Sequence, residues 1–268
     1  MKQVVLAVAY NNLFSIYSPQ ILIMDETLQI YWKLYNQMFS NEMMIHKSHN
    51  LLRNYEEEFI EGPILELGSG QSSFLVEFSK TGKDIFAVDN EEFQLDFLKS
   101  RIESYAGKEA GKLHLLNITI PEKEIPQEIF SVVIASDFLH FFSLDDCRDI
   151  IFQIISRTQK GSLIYVRVHS ESHSYNDSTD TEVHEYFKHF FAESDLTELF
   201  DEQCFERMIF SNNVQNIRSK FTRELETKWT EKILDEYQIF DPQERQEHFD
   251  ENNEELNVGY IECVYRRK

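Results

Sequence analysis

Between Pro63 and Val168 the chain alternates two hydrophobic periods. Short, mainly apolar runs fall at 64–67, 85–88, 113–116, 130–135 and 163–168. Helical patterns separate several of them, at 72–80, 91–105 and 144–158; in 91–105, Phe93, Leu95, Phe97, Leu98 and Ile102 supply an apolar face. A strand with apolar residues at successive positions must be covered on both faces, and alternation with helices supplies that cover. The pattern therefore predicts an α/β fold around a parallel sheet. With 22 Phe and 12 Tyr in 268 residues, the chain has ample apolar material for such a core.

The flanks read differently. Residues 25–60 carry two helical patterns, Leu28, Tyr31, Trp32, Tyr35 and Phe39, then Leu51, Leu52, Tyr55 and Phe59, and Gly62-Pro63 closes them. Before them, Val4 to Tyr10 is apolar but is cut short by Asn11-Asn12 with no small-residue cleavage site, which favours a buried strand or a leader over a secretion signal. Residues 182–201 read as helical, 205–210 as a sixth strand and 258–265 as a seventh. The stretch 213–256 reads as a polar helical insertion. Residues 171–255 hold 23 acidic and 8 basic side chains, either a solvated face or a docking face for a basic protein partner.

A net charge of −21 argues against binding to nucleic acid or an anionic membrane, which rests on clustered Lys and Arg. No apolar run approaches the ~18 residues of a spanning helix. Cys147, Cys204 and Cys263 are odd in number and far apart, with no CxxC pair, so neither a zinc site nor a disulfide framework is signalled and the expected setting is the reducing cytoplasm. His169, His173, His184 and His189 cluster in sequence, but their spacings match no ligand pattern, and no metal is expected.

The segment most suited to chemistry is Glu66-Leu67-Gly68-Ser69-Gly70-Gln71-Ser72-Ser73, which leaves a strand and opens a helix. Glycines there permit a sharp turn and close backbone approach to a ligand, and the first-turn amides favour a negative group. Asp89 ends the next strand, where a carboxylate can accept both hydroxyls of a ribose or cap the helix that follows Asn90.

In order, these residues resemble the class I S-adenosylmethionine-dependent methyltransferases. Glu66, Gly68 and Gly70 match the acidic residue and the first glycines of the family's first motif, while Ser72 replaces the third glycine. Asp89 matches the ribose-binding acid. Asn117, followed by Ile118, stands where an acid is usual after the third strand, and Phe130-Ser131 lacks the family's Asp at the start of the fourth. The resemblance implies S-adenosylmethionine as cofactor, held by Glu66, Gly68, Ser69, Gly70, Gln71, Asp89, Asn90, Asn117, Ile118, Ser136 and Asp137. It also implies a Rossmann-like sheet of seven mostly parallel strands, the last antiparallel and paired by a hairpin with the sixth. Residues 1–62 then form a leader and a helical cap of the kind found on small-molecule members, and 63–268 the methyltransferase domain, with 213–256 inserted.

On that reading the acceptor is a small molecule, and alignment for in-line displacement supplies most of the acceleration. His140 follows a strand end on the ligand side and is the candidate general base. Tyr31, Tyr35, Arg167 and His169 are candidate acceptor contacts; Tyr31 and Tyr35 equally suit core packing, and Arg167 equally suits pairing with a carboxylate. Two other readings stand beside this one. The departures at Ser72, Asn117 and Ser131 suit a binding or regulatory protein that has lost turnover. A nicotinamide-dependent oxidoreductase would also use Gly68, Gly70 and Asp89, but Glu66 and Ser73 do not fit its fingerprint.

Overall fold

The structure is a computed structural model that describes residues 29–35, 37–38, 51–70, 72–107, 111–179, 181–216, 220–251 and 257–268. The reading of Val4 to Tyr10, and Gln71 among the site residues, lie outside the described residues. Those described divide into two compact units, one within 1–44, 172–186 and 214–258, the other within 45–171, 187–213 and 259–268.

The second unit is built on seven strands: β1 (Ile64–Leu67), β2 (Ile85–Asp89), β3 (Leu113–Asn117), β4 (Phe130–Ser136), β5 (Thr158–His169), β6 (Phe205–Asn216) and β7 (Asn257–Arg267). Their order is β3-β2-β1-β4-β5-β7-β6. The first five pair in parallel, and β7 runs antiparallel to β5. Alternate residues of the central strands feed two separate cores, as the two-residue period of a strand requires. Leu65, Leu67, Val133 and Ala135 face one core, and Ile64, Val132 and Ile134 face the other.

Helices cover both cores. On the first lie α3 (Leu144–Ser156), through Cys147, Ile150, Ile151 and Ile154, and α5 (Glu193–Leu199), through Leu196 and Leu199. On the second lie α1 (Ser73–Phe78) and α2 (Glu92–Ala106), with the 3-10 turns Leu51–Glu58. The second amphipathic pattern of the N-terminal flank is thus a 3-10 segment rather than an α-helix, anchored by Leu52.

Two further elements depart from the sequence reading. The helical reading of 182–201 resolves into α4 (Thr181–Tyr186) and α5, with an extended segment between them. In that segment the Lys188 N–H donates to the His140 carbonyl and the Phe191 N–H to the His169 carbonyl, at 2.9 Å each. Those acceptors lie outside any local helix, so the segment is drawn along the ends of β4 and β5. Strand β6 extends to Asn216, so the start of the polar stretch is strand rather than helix.

The first unit contains the helical residues 29–35 and 37–38, α4, α6 (Lys220–Glu236) and α7 (Pro242–Glu251). Leu225, Trp229 and Ile233 repeat every four residues along one face of α6 and bury together with Leu34. Among the described residues no helix is long and apolar enough to cross a membrane.

Candidate functional site

Strand order reverses at β1, whose neighbours are β2 on one side and β4 on the other. In an open α/β sheet this leaves a crevice beyond the carboxyl ends of those strands. The glycine turn, Asp89, Asn117, Ser136, Asp137 and His169 all lie at the carboxyl ends of the five parallel strands.

The turn after β1 is specified by sterics. Gly68 has φ +62°, and a Cβ there would lie 2.5 Å from the Phe138 ring. Gly70 has φ +42°. Ser69, between them, is buried, and its hydroxyl makes no hydrogen bond within the described chain. Ser72, the departure from the third glycine, has a structural use. Its Oγ accepts the Leu75 N–H at 2.8 Å, capping α1, and its hydroxyl donates to the Glu66 carboxylate. Glu66 is 2% exposed, and burial pushes its carboxyl up to about 8, with the Ser72 bond opposing.

Asp89 is fixed from both sides. One carboxylate oxygen accepts the Gly70 N–H at 2.7 Å, the other the Glu91 N–H at 2.9 Å, and the Asn90 amide also contributes. Burial nevertheless raises its pKa. Next to it, Ile118 N–H donates to the Asp89 carbonyl at 3.1 Å, and Asn117 Nδ2 reaches the same oxygen at 3.4 Å. Strand register accounts for this, since Asp89 pairs with Asn117. The structure thus gathers Asp89, Asn90, Asn117 and Ile118 in one corner beside the glycine turn.

At the end of β4, Asp137 adopts φ +53°, a left-handed conformation that costs a non-glycine residue about 1 kcal/mol. Its N–H donates to the Arg167 carbonyl at 2.9 Å, and Ser136 Oγ lies 3.2 Å from its carboxylate. Arg167 Nε lies 3.4 Å from Asp137 Oδ1. Desolvation raises the Asp137 pKa, and Arg167 opposes the rise.

His140 follows in a 3-10 turn, Leu139–Phe141, and is 1% exposed. Its ring stacks on His169, with centroids 3.8 Å apart and planes 10° from parallel. Its Nδ1 accepts the His169 backbone N–H at 3.3 Å, so in the neutral ring the proton sits on Nε2. His169 keeps partial exposure.

Asp137, His140 and His169 bring a carboxylate oxygen and two ring nitrogens within 4.8 Å of one another. That donor set occurs in metal triads. Stacked rings, however, direct their in-plane lone pairs into nearly parallel planes, so the two nitrogens do not converge on one point, and Nδ1 of His140 is already engaged. Of the histidines grouped in sequence, His173 and His184 fall in the other unit. Tyr31 and Tyr35 also belong to that unit, where both pack on its core and Tyr31 meets Trp229 edge to face at 5.5 Å.

Sequence reasoning missed Phe138, whose ring closes over Gly68, and Tyr260 and Glu262, which flank Arg167. An aromatic residue after the strand-end acid was the available signal for the first. The other two come from β7 and had no local signal.

No family model matches the chain, and no curated protein matches its sequence. Solved structures do. The chain has the fold of the class I S-adenosylmethionine-dependent methyltransferases. TehB from Haemophilus influenzae superposes with a TM-score of 0.59 at 17% identity, covering 86% of this chain and 66% of TehB, so the chain spans just under two thirds of that protein. Magnesium protoporphyrin IX methyltransferase from Synechocystis, with bound SAH, gives 0.52 at 8% identity over 97% of this chain and 93% of its own. The N-methyltransferase NodS from Bradyrhizobium japonicum gives 0.52 at 10% identity, covering 85% and 98%. The seven-stranded, mostly parallel sheet with its antiparallel last strand has the topology expected from the methyltransferase motifs.

Proposed function

We propose that this chain binds S-adenosylmethionine in the crevice beyond β1, β2 and β4 and transfers its methyl group to a small-molecule acceptor. The observation that carries the reading is Asp89, a strand-end carboxylate held 2.7 Å from the Gly70 N–H across a turn in which Gly68 leaves no room for a side chain. The residues fit the cofactor. Ser69 offers a buried hydroxyl without a hydrogen-bond partner in the described chain, and Asp89 and Asp137 supply carboxylates suited to a cationic ligand.

When bound, S-adenosylmethionine supplies a methyl carbon on a sulfonium, already activated for in-line displacement by an acceptor lone pair. The chain's own work is alignment and exclusion of water. Asp89 accepts the ribose hydroxyls, Asn90, Asn117 and Ile118 border the adenine, and Ser136 and Asp137 face the methionine end. If the acceptor must lose a proton, the stacked histidines take it: His169 is the ring that reaches solvent, and His140 holds it in place. The net charge of −21 supports a small acceptor over nucleic acid.

Calorimetric titration with S-adenosylmethionine, S-adenosylhomocysteine and NAD tests the reading. Saturable binding of the two sulfur ligands and none of NAD is the expected result. Folded protein that binds neither sulfur ligand would remove it. Binding without turnover across an acceptor screen would favour a regulatory protein on this fold.

A further inference from the structure

Arg167 stands at the meeting point of three strands. It is in register with Ser136 on β4 and with Glu262 on the antiparallel β7. Its backbone carbonyl accepts the Asp137 N–H at 2.9 Å, and its side chain pairs with the Asp137 carboxylate at 3.4 Å, a distance and angle short of an aligned hydrogen bond. The guanidinium lies over the Tyr260 ring, 4.4 Å from its centroid. Glu262 accepts a hydrogen bond from Tyr165 Oη at 2.6 Å and adds its negative charge to the surroundings of Arg167.

Asp137 needs such support. A left-handed non-glycine residue persists only where its neighbours over-determine it, and here Arg167 grips both its backbone and its side chain. Facing the Asp137 carboxylate are Glu66 on β1, Tyr165, Arg167 and His169 on β5, and His140 in the turn that follows. Arg167 alone among these carries a fixed positive charge.

We propose that Arg167 is a positioning residue: held by Tyr260 and Glu262 of β7, it acts through Asp137, fixing that carboxylate at the carboxyl edge to receive the cationic methionine end of the cofactor. The inference rests on the cofactor reading above. It gives the antiparallel last strand a part in the site, although β7 contributes no residue to the cofactor motifs. Because the pair is partly exposed, with 27% of the Arg167 and 43% of the Asp137 side chain accessible, its effect falls at the lower end for charge pairs.

The test is a double-mutant cycle on the full chain with Arg167→Gln, Arg167→Lys, Asp137→Asn and the Gln/Asn double variant. Calorimetry reads S-adenosylmethionine affinity, and thermal melts without ligand read the pair itself. Arg167→Gln is expected to weaken binding about tenfold, Arg167→Lys to restore most of that loss, and Arg167→Gln to add nothing once Asp137→Asn is present. Additive losses, or equal losses for Gln and Lys, would overturn the proposal. If the native chain binds no S-adenosylmethionine, the cofactor reading fails by itself. The ligand-free melts then decide the pair, non-additivity upholding the grip of Arg167 on Asp137 and additivity rejecting it.

Discussion

The two sides of the crevice are held together over different sequence distances. On the β1–β2 side the partners are near neighbours in the chain: Ser72 caps α1 and reaches Glu66, and the Gly70 amide meets Asp89 across 19 residues. On the β4–β5 side His140 meets the His169 amide across 29 residues, and Tyr165 meets Glu262 across 97. On the near side the carboxylates of Glu66 and Asp89 are both held by hydrogen bonds. The far side holds a left-handed Asp137, an obliquely paired Arg167 and two stacked imidazoles. A binding corner needs fixed groups in a fixed shape, and local partners provide that. In the proposed function the first side is the binding corner and the second the reacting edge, whose charges come from strands distant in the chain.

The largest expected effect breaks the near side. Asp89→Ala should weaken S-adenosylmethionine binding about 100-fold, the cost of losing hydrogen bonds to a charged group, with little change in fold. Asp137→Asn should cost only about tenfold, and calorimetry showing the reverse order would invert the comparison. Second comes the turn. Gly68→Ala meets both the Phe138 ring and φ +62°, whereas Gly82→Ala meets φ +74° with nothing within 4 Å among the described residues. The first should cost about 2–3 kcal/mol and the second about 1 kcal/mol, read as the difference between their melting temperatures.

Third is the pH dependence of Glu66. The folded chain holds a proton on this carboxyl up to about pH 8, and the unfolded chain releases it near pH 4.5. Its contribution to stability is therefore complete below pH 4.5 and lost as the pH rises through 8. Burial of Asp89 and Asp137 has the same sign. His173, lowered to about 4, has the opposite sign and acts only between about pH 4 and 6.5. Melts of Glu66→Gln should therefore fall less between pH 6.5 and 9 than those of the native chain. The smallest effect lies away from the crevice. Phe152 and Phe240, 71% and 68% exposed, should tolerate serine within about 0.5 kcal/mol in chemical denaturation.

Sequence patterning reached the sheet because its information is local. Mainly apolar runs such as Ile85–Val88 mark strands covered on both faces, and the glycine turn with Asp89 marks the crevice edge. Patterning failed where a distant partner overrode a local preference. Residues 187–192 continue a helical pattern, yet the amides of Lys188, His189 and Phe191 go to the His140 and His169 carbonyls, and Val214 to Asn216 extend β6. Ser72 looked like a lost glycine because no sequence pattern shows that its hydroxyl both caps a helix and reaches a buried carboxylate.

The sequence by itself determined the parallel α/β sheet, the position of the glycine turn and the acid that faces it, since each depends on residues within one strand-turn-helix repeat. Only the tertiary structure decided that His140 stacks on His169 and that Arg167 grips Asp137 while seated on Tyr260. Those pairs form where strand ends and the turn after β4 meet, joining residues whose separation along the chain carries no periodic signal.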